Sequence, residues 1–302
     1  KMKKHVRLPD SSDDIEAGVP LEVASPSYVG FTNTSTSESL SAGFERFVRR
    51  ATPRFLQQSS GQGSDLHECA ALGNLPALIQ MLRPGVLEAI DATAGNGLTA
   101  LHVAATAGHA DCLEELLRAG ASLQIKDSSG FTALHYSVAH GRLACAEILL
   151  DAGAERDAVT TTGFTALHLS CLKGARACTE ALLRAGASCE LATSEGATPL
   201  HLSSAAGHRP CVDLLLHHKA SINPTDRAGR TPLHLAASTG QRLCLNALLR
   251  ANADMSIRAN DGRTALEAAQ RARQEDCVIA LQKAQGEVGR CTDDSQNLGE
   301  NG

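Results

Sequence analysis

The feature that most constrains this chain is a period of 33 residues in its sequence. Leu-His pairs recur along it, and a spacing of this length indicates a stack of small units that each pack only against their neighbours. Two further copies are degenerate, with His67 placed 35 residues before the series and Glu267 placed 33 residues after it. The five complete copies carry His102, His135, His168, His201 and His234.

Each unit contains the signals of two short helices. A finger glycine is followed two residues later by a threonine, as at Gly130 and Thr132, and a threonine there is a typical helix N-cap. Pro199 and Pro232 directly follow two of these threonines, at the first helical position, where a missing N–H costs nothing. The second helix carries paired leucines and ends at a glycine such as Gly153, which favours a left-handed cap. Because helices shorter than about 12 residues are unstable alone in water, the stack must stabilise them.

The repeated pattern is Gly-x-Thr-Ala/Pro-Leu-His, then a pair of small residues, Gly, Leu-Leu and Gly-Ala. It resembles the ankyrin repeat over residues 61–286, in seven copies of which five are close to the family pattern. The resemblance implies an all-α repeat solenoid, built of ankyrin-type helix-turn-helix pairs with β-hairpin fingers. It also implies that the threonine and histidine of each copy form hydrogen bonds within and between repeats. The histidine series is therefore expected to be structural rather than catalytic or metal-binding.

Departures from the pattern carry their own predictions. Lys219 stands where other repeats have a cap glycine, so it should adopt left-handed geometry at a cost of about 1 kcal/mol. Asn252 at the next equivalent position tolerates that geometry better. The first and last copies carry polar replacements, Glu267 among them, as terminal repeats exposed to water require. We therefore expect the array to be capped at both ends.

The segments on either side of the array differ from it in composition. Residues 1–60 predict a mostly disordered segment, because much of it is low-complexity polar sequence. Residues 287–302 predict a disordered tail for a similar reason. Within the first segment, residues 40–50 favour a short amphipathic helix that either covers the end of the stack or contacts a partner or a membrane surface. Its apolar positions at helical spacing are Leu40, Phe44, Phe47 and Val48.

Six of the ten cysteines follow the same period of 33 residues. Equivalent positions on neighbouring packed helices lie about 8–10 Å apart, too far for a disulfide, and one thiol per repeat is a poor zinc site. These residues are predicted to be buried free thiols, which favours a reducing compartment and hence a cytoplasmic protein, or one also present in the nucleus. No secretory or mitochondrial signal and no apolar run of membrane-spanning length is seen. The six are Cys112, Cys145, Cys178, Cys211, Cys244 and Cys277.

No catalytic constellation is recognisable once the structural histidines are set aside. The chain has neither a Gly-x-Ser-x-Gly nucleophile motif nor a glycine-rich phosphate loop with lysine. We predict a non-enzymatic protein without a cofactor or a metal. A net charge of −5 also argues against nucleic acid as the partner.

The predicted function is a protein-protein interaction module, scaffold or adaptor, whose partner lies against the hairpin fingers and the concave helix face. The residues after the finger glycines include Leu98, Phe131 and Phe164, interpreted as exposed apolar anchors. An alternative is that these three fold inward onto neighbouring fingers. Arg230 and Arg263 at the same position of later repeats would form a basic rim.

The ends of the first helices complete this predicted surface, with Ala139, His140, Leu172 and Lys173 beside the fingers. Two other functions remain open from the sequence alone. One is a regulatory or targeting ankyrin domain of a larger enzyme or ligase-adaptor assembly. The other is a receptor for a small ligand or an oligonucleotide, which the scattered arginines support only weakly.

Overall fold

A computed structural model describes residues 66–83 and 90–296, with side chains described to residue 286. Within these residues the chain forms fourteen helices, and their bounds follow. They are α1 (Leu66–Leu72), α2 (Leu75–Met81), α3 (Ala100–Ala107), α4 (Ala110–Arg118), α5 (Ala133–Ala139), α6 (Leu143–Asp151), α7 (Ala166–Lys173), α8 (Arg176–Arg184), α9 (Pro199–Ala206), α10 (Arg209–His217), α11 (Pro232–Ser238), α12 (Arg242–Arg250), α13 (Ala265–Arg271) and α14 (Glu275–Gln296).

The helices are arranged in two rows. Odd-numbered helices are the first of each repeat, and each packs on its own second helix and on the first helices of the neighbouring repeats. Even-numbered helices pack against one another in a second row. The contacts are thus between neighbours along the chain, which confirms the predicted all-α repeat solenoid.

One large core runs through the stack, from Cys69 in α1 to Leu281 in α14, and Ala205 and Leu235 form a small separate cluster. The most regular part of this core is a row of leucines, one from each of five successive second helices. Each occupies the same position of its repeat and is fully buried. Burying one such side chain stabilises the fold by roughly 1.5–3 kcal/mol, so a leucine row joins the repeats energetically. The row consists of Leu116, Leu149, Leu182, Leu215 and Leu248.

The threonines predicted as N-caps begin the first helices. In each case the threonine and the residue three positions on form a reciprocal capping box, with the threonine backbone extended. Glu267 takes the place of histidine in the last box and accepts the Thr264 N–H at 2.8 Å. The other capping threonines are Thr99, Thr132, Thr165, Thr198 and Thr231.

Three residues other than glycine adopt left-handed backbone geometry in the described part of the chain. Lys219 and Asn252 have φ values of 61° and 62°, as their alignment with cap glycines predicts. The third is Arg273, with φ of 55°, which replaces the glycine after the last first helix. The repeat geometry is therefore kept where the sequence no longer favours it.

The periodic cysteines are buried, as predicted, and all nine described cysteines are free thiols. One of them, Cys171 in α7, lies outside the period and forms a side-chain hydrogen bond with Cys211 in α10 of the next repeat. Burial raises the pKa of most of these thiols, Cys244 to about 12, which keeps them protonated.

Only part of one flanking segment, the C-terminal one, is described by the structure. The segment 1–60, with the predicted helix at 40–50, lies outside the described residues. Helix α14 continues to Gln296, which differs from the disordered tail predicted from residue 287. No proline interrupts this stretch, and a helix already nucleated on the stack gains one hydrogen bond for each residue added. No described helix combines the length and the apolar character that crossing a bilayer requires.

Candidate interaction surface

Six fingers of five residues connect the repeats, spanning 94–98, 127–131, 160–164, 193–197, 226–230 and 259–263. The first residue donates its N–H to the carbonyl of the fifth, as from Asp127 to Phe131 at 2.9 Å. In this finger Asp127 Oδ1 also accepts the N–H groups of Ser129, at 2.9 Å, and Phe131, at 2.7 Å. The tip therefore consists of the second and third residues, and the glycine is fourth. In the described chain these loops hold one isolated β-bridge, Ala94–Leu98, and no longer strand.

Neighbouring fingers are joined by a ladder of backbone hydrogen bonds. The second residue of each finger donates its N–H to the carbonyl of the third residue of the preceding finger. The five bonds run from Ser128 to Asn96 (2.8 Å), Thr161 to Ser129 (3.0 Å), Ser194 to Thr162 (3.0 Å), Arg227 to Glu195 (3.0 Å) and Asn260 to Ala228 (2.9 Å).

In the fingers at 127–131 and 160–164 the glycine is needed for this ladder as well as for the turn. Gly130 has φ of 81°, which a residue with a side chain rarely adopts. A Cβ placed there would also lie 2.8 Å from the backbone nitrogen of Thr161 in the next finger. At Gly163 the same atom would lie 2.9 Å from the nitrogen of Ser194. Only glycine allows adjacent fingers to approach this closely.

The histidines tie each repeat to the following finger. His135 Nδ1 accepts the N–H of Thr132 at 3.2 Å, so the ring proton is on Nε2, which donates to the Phe164 carbonyl at 3.2 Å. Burial lowers the pKa of His135 and His168 to about 4, and the rings stay neutral at physiological pH. The structural role that the ankyrin resemblance implies is confirmed. The other bonds of this histidine ladder join His67 to Leu98, His102 to Phe131, His168 to Ala197, His201 to Arg230 and His234 to Arg263.

The prediction that Leu98, Phe131 and Phe164 form an exposed apolar strip is wrong. Their exposed fractions are 4%, 2% and 8%, so the inward-folded alternative is right. The reason is that each is the fifth residue of its finger, where the chain returns to the stack and a histidine holds the carbonyl. The Phe131 ring lies 5.5 Å from the His135 ring and 5.5 Å from the Tyr136 ring.

Arg230 and Arg263 reach the surface but do not form the predicted free basic rim. The Arg230 side chain is 23% exposed, and its Nε and Nη2 both donate to Oδ2 of Asp226, at 2.8 Å and 2.7 Å. Arg263 pairs with Asp261 of its own finger at 2.7 Å. Each charge is largely balanced within the finger, which weakens its attraction for a distant acidic group.

The predicted helix-end residues divide between core and surface. Ala139 and Leu172 are buried, with exposed fractions of 5% and 4%, because each faces the next first helix. His140 and Lys173, one residue further on, are half-buried at the edge of the stack. Those two residues reach the surface of the stack, and the buried pair does not.

The exposed finger tips are the surface that the sequence reasoning missed. In a five-residue turn with positive φ at its fourth residue, the second and third residues are the outermost. This rule could have identified the finger tips from the position of the glycine. Ser128 and Thr161 are exposed, and so are both tip residues of the later fingers. Those later tips carry Ser194, Glu195, Arg227, Ala228, Asn260 and Asp261.

No group of three His, Cys, Asp or Glu side chains in the described chain could hold a metal ion. Buried hydroxyl, thiol and imidazole groups approach one another inside the stack, in the threonine–histidine boxes and where Thr179 lies 3.0 Å from Ser170 and 3.6 Å from Cys211. The finger tips and the helix ends, in contrast, reach solvent.

Helix pairs stacked at a 33-residue period, joined by hydrogen-bonded fingers and threonine–histidine boxes, define a repeat solenoid of the ankyrin type. The family model for ankyrin repeats matches three times, over residues 66–159, 152–226 and 221–290. The chain belongs to the ankyrin repeat family.

Two solved structures show the same architecture. The ankyrin repeat domain of human ASB11 is 28% identical, with a TM-score of 0.64, over 71% of this chain and 96% of that domain. The ankyrin repeat domain of Bcl-3, described as a unique member of the IkappaB protein family, is 29% identical. Its TM-score is 0.65, over 74% of this chain and 99% of that domain. Ankyrin repeats are in general protein-protein interaction modules without catalytic activity.

Proposed function

We propose that this chain is a non-enzymatic scaffold or adaptor that holds a protein partner against its finger tips and the adjoining helix ends. The observation that carries the proposal is that the five residues of each finger have two different roles. The first, fourth and fifth residues close the turn, and the fifth also accepts a hydrogen bond from the histidine of the preceding repeat. The second and third residues contribute backbone groups to the ladder, while their side chains differ from finger to finger and are mostly exposed.

The finger tips are held in place before any partner arrives. Each is fixed internally by a turn hydrogen bond, laterally by the ladder, and from below by a histidine. A surface that is already ordered loses little conformational entropy on binding, so more of its contact energy contributes to affinity. This rigidity supports a binding role for the tips rather than a purely connective one.

The chemistry of the tips changes along the array. The second and third fingers expose hydroxyl groups, with Ser128 and Thr161 outermost, and Val159 beside them is 43% exposed. The later fingers expose Glu195 and Arg227. A partner would meet hydrogen-bonding groups at one end and charges of both signs at the other, which suits a protein surface.

His140 and Lys173 extend this proposed surface onto the helix ends, because both are half-buried there. Nine free and mostly buried thiols in the described chain suit a reducing compartment, and we place the function in the cytoplasm or the nucleus.

The test is comparative capture of binding proteins from a native lysate by the full chain. A tip variant carries Thr161→Arg, Ser194→Arg and Arg227→Glu. A control with the same kinds of change on exposed second-helix positions carries Gln80→Arg, Gln282→Arg and Arg250→Glu. Circular dichroism establishes that both are folded.

We expect a set of proteins held by the wild type and the control to be lost by the tip variant, and purified members of that set to bind directly. Equal recovery by all three chains would overturn the finger-tip surface.

A further inference from the structure

The turns between the first and second helices of four successive repeats are basic and contain no carboxylate. They span residues 139–144, 172–177, 205–210 and 238–243. The chain as a whole has a net charge of −5, whereas this edge carries only positive charges. The cations are Arg142, Lys173, Arg176, Arg209 and Arg242.

Most of this charge is exposed to solvent. Arg142, Arg176 and Arg242 are exposed, and no described carboxylate lies within ion-pair distance of any of them. Arg142 donates Nε to the Thr106 carbonyl at 3.2 Å, which orients the side chain along the edge without neutralising it. Arg209 forms an ion pair with Asp213 at 3.3 Å, and its side chain is still 41% exposed.

Three of these arginines lie where the helix dipole disfavours a positive charge. Arg176, Arg209 and Arg242 are the first residues of α8, α10 and α12, where the helix dipole presents its positive end. No acidic side chain offsets them in those first turns. Elsewhere the chain places arginines favourably, because Arg184 and Arg250 lie in the last turns of α8 and α12. An unfavourable arrangement repeated at three neighbouring helices indicates a role outside the fold.

The same edge has a gap at one junction. At other junctions the residue before the second helix reaches back over the preceding turn, as where His208 Nε2 donates to the Leu172 carbonyl at 3.1 Å and covers Gly174. Ala175 is too short to do so, and no atom of a neighbouring residue lies within 4 Å of a Cβ built at Gly141. Arg142 follows Gly141 directly along the chain, and Arg176 follows Ala175, so this open space lies beside both arginines.

We propose that this arginine edge, formed by Arg142, Arg176, Arg209 and Arg242, binds an extended acidic segment of the partner protein. The inference rests on the proposed function and names the chemistry of the partner. Neighbouring helices are about 10 Å apart, so the edge spans roughly 30 Å, the length of about nine extended residues. The negative charge on the rest of the chain opposes a long polyphosphate, which favours a short acidic peptide over nucleic acid.

The experiment measures binding of a fluorescent ten-residue peptide of alternating glutamate and alanine by anisotropy, using the full chain at low salt. The edge variant carries Arg142→Gln, Arg176→Gln and Arg242→Gln. Its matched control removes three arginines from second-helix C-termini, as Arg118→Gln, Arg184→Gln and Arg250→Gln.

We expect the edge variant to bind the peptide about tenfold more weakly, the control to change it less than about twofold, and added salt to weaken wild-type binding. Thermal melts separate lost binding from lost folding, because relief of the dipole conflict should leave the edge variant at least as stable as the wild type. No binding by the wild type, or equal loss in both variants, would overturn the proposal.

Two further outcomes also decide against it. A single-stranded oligonucleotide of equal charge that binds the edge more tightly than the peptide would reassign the surface to nucleic acid. A rise in peptide affinity in the variant Asp10→Asn, Asp13→Asn, Asp14→Asn would mean that the chain's own acidic stretch occupies the edge. If the peptide fails while finger-tip variants still lose their captured partner, only the acidic-segment inference falls and the proposed function stands.

Discussion

The hydroxyl of Tyr136 donates a 2.7 Å hydrogen bond to Oδ2 of Asp127, and both side chains are buried. The other oxygen of the same carboxylate accepts two finger N–H groups, from Ser129 and Phe131. One carboxylate therefore shapes the finger and fastens it to α5. The Tyr136 ring also meets the His102 ring edge-on at 5.8 Å, which connects this finger to the preceding repeat.

Tyr136→Phe should lower the free energy of unfolding by about 1–3 kcal/mol, because a buried carboxylate oxygen loses its partner while the ring packing is kept. Urea denaturation followed by circular dichroism measures the change. The double variant with Asp127→Asn should lose less than the sum of the two single losses, since the two side chains act on one bond. Strict additivity would show that the bond contributes nothing.

Gly130→Ala and Gly153→Ala form a matched pair with φ values of 81° and 88°. At Gly153 no neighbouring atom lies within 4 Å of the added Cβ, whereas at Gly130 the Cβ meets the backbone of the next finger. We expect Gly153→Ala to cost about 1–2 kcal/mol through backbone strain alone, and Gly130→Ala to cost a further 1–3 kcal/mol through the clash. Denaturation of both variants measures the difference, and equal losses would contradict the finger ladder as a close contact.

Lys219→Gly should stabilise the protein by roughly 1 kcal/mol, because glycine adopts φ of 61° without strain. Asn252→Gly at the equivalent position should gain less, since asparagine tolerates the left-handed region. Thermal melts of the two single variants test the order. A loss of stability in Lys219→Gly would show that the lysine side chain contributes more than its backbone strain costs.

The histidine ladder predicts a loss of stability in mild acid. Burial lowers the pKa of His135 and His168 to about 4, below the value of about 6.5 for histidine in an unfolded chain. The unfolded state binds more protons between these values, so stability present above pH 6.5 falls as the pH approaches 4. Each of the two histidines contributes up to about 1.4 kcal/mol per pH unit. Burial shifts the pKa of His102, His201 and His234 in the same direction.

The urea midpoint measured between pH 7.5 and pH 5 tests this dependence before most carboxylates titrate. In His135→Gln the midpoint should be lower throughout and should depend less steeply on pH. A midpoint that stays constant or rises on acidification would contradict the assignment of neutral ladder histidines.

Much of the fold could be predicted from the sequence because each repeat presents the same local signals. The capping threonines, the structural histidines and the left-handed Lys219 all follow from the period, since a residue must do in one repeat what its equivalents do in the others. The degenerate last repeat obeyed the same rule, with Glu267 in the place of histidine in the capping box.

The surface was harder to predict, because a period locates equivalent residues without showing which way they point. Ser129 and Phe131 are only two residues apart in the same five-residue finger. Ser129 lies at the tip, whereas Phe131 is buried where the chain returns to the stack. The sequence pattern favours exposure of the large apolar side chains that follow the finger glycines. In the structure the chain turns back toward the stack at these positions, and the side chains are buried there. The gap at Gly141 depends on Ala175 in the next repeat, a relationship visible only when the repeats are stacked.

The finger ladder has a direction, since each finger donates its N–H toward the N-terminal neighbour and offers its carbonyl toward the C-terminal one. Every 33-residue unit therefore presents a finger N–H group to the unit before it and a finger carbonyl to the unit after it, so any unit fits between two others. Duplication or deletion of a whole internal repeat would leave the remaining fingers bonded in register. The array can thus lengthen or shorten over evolutionary time by gene-level changes of one unit, altering the reach of its surface without redesign of its interior.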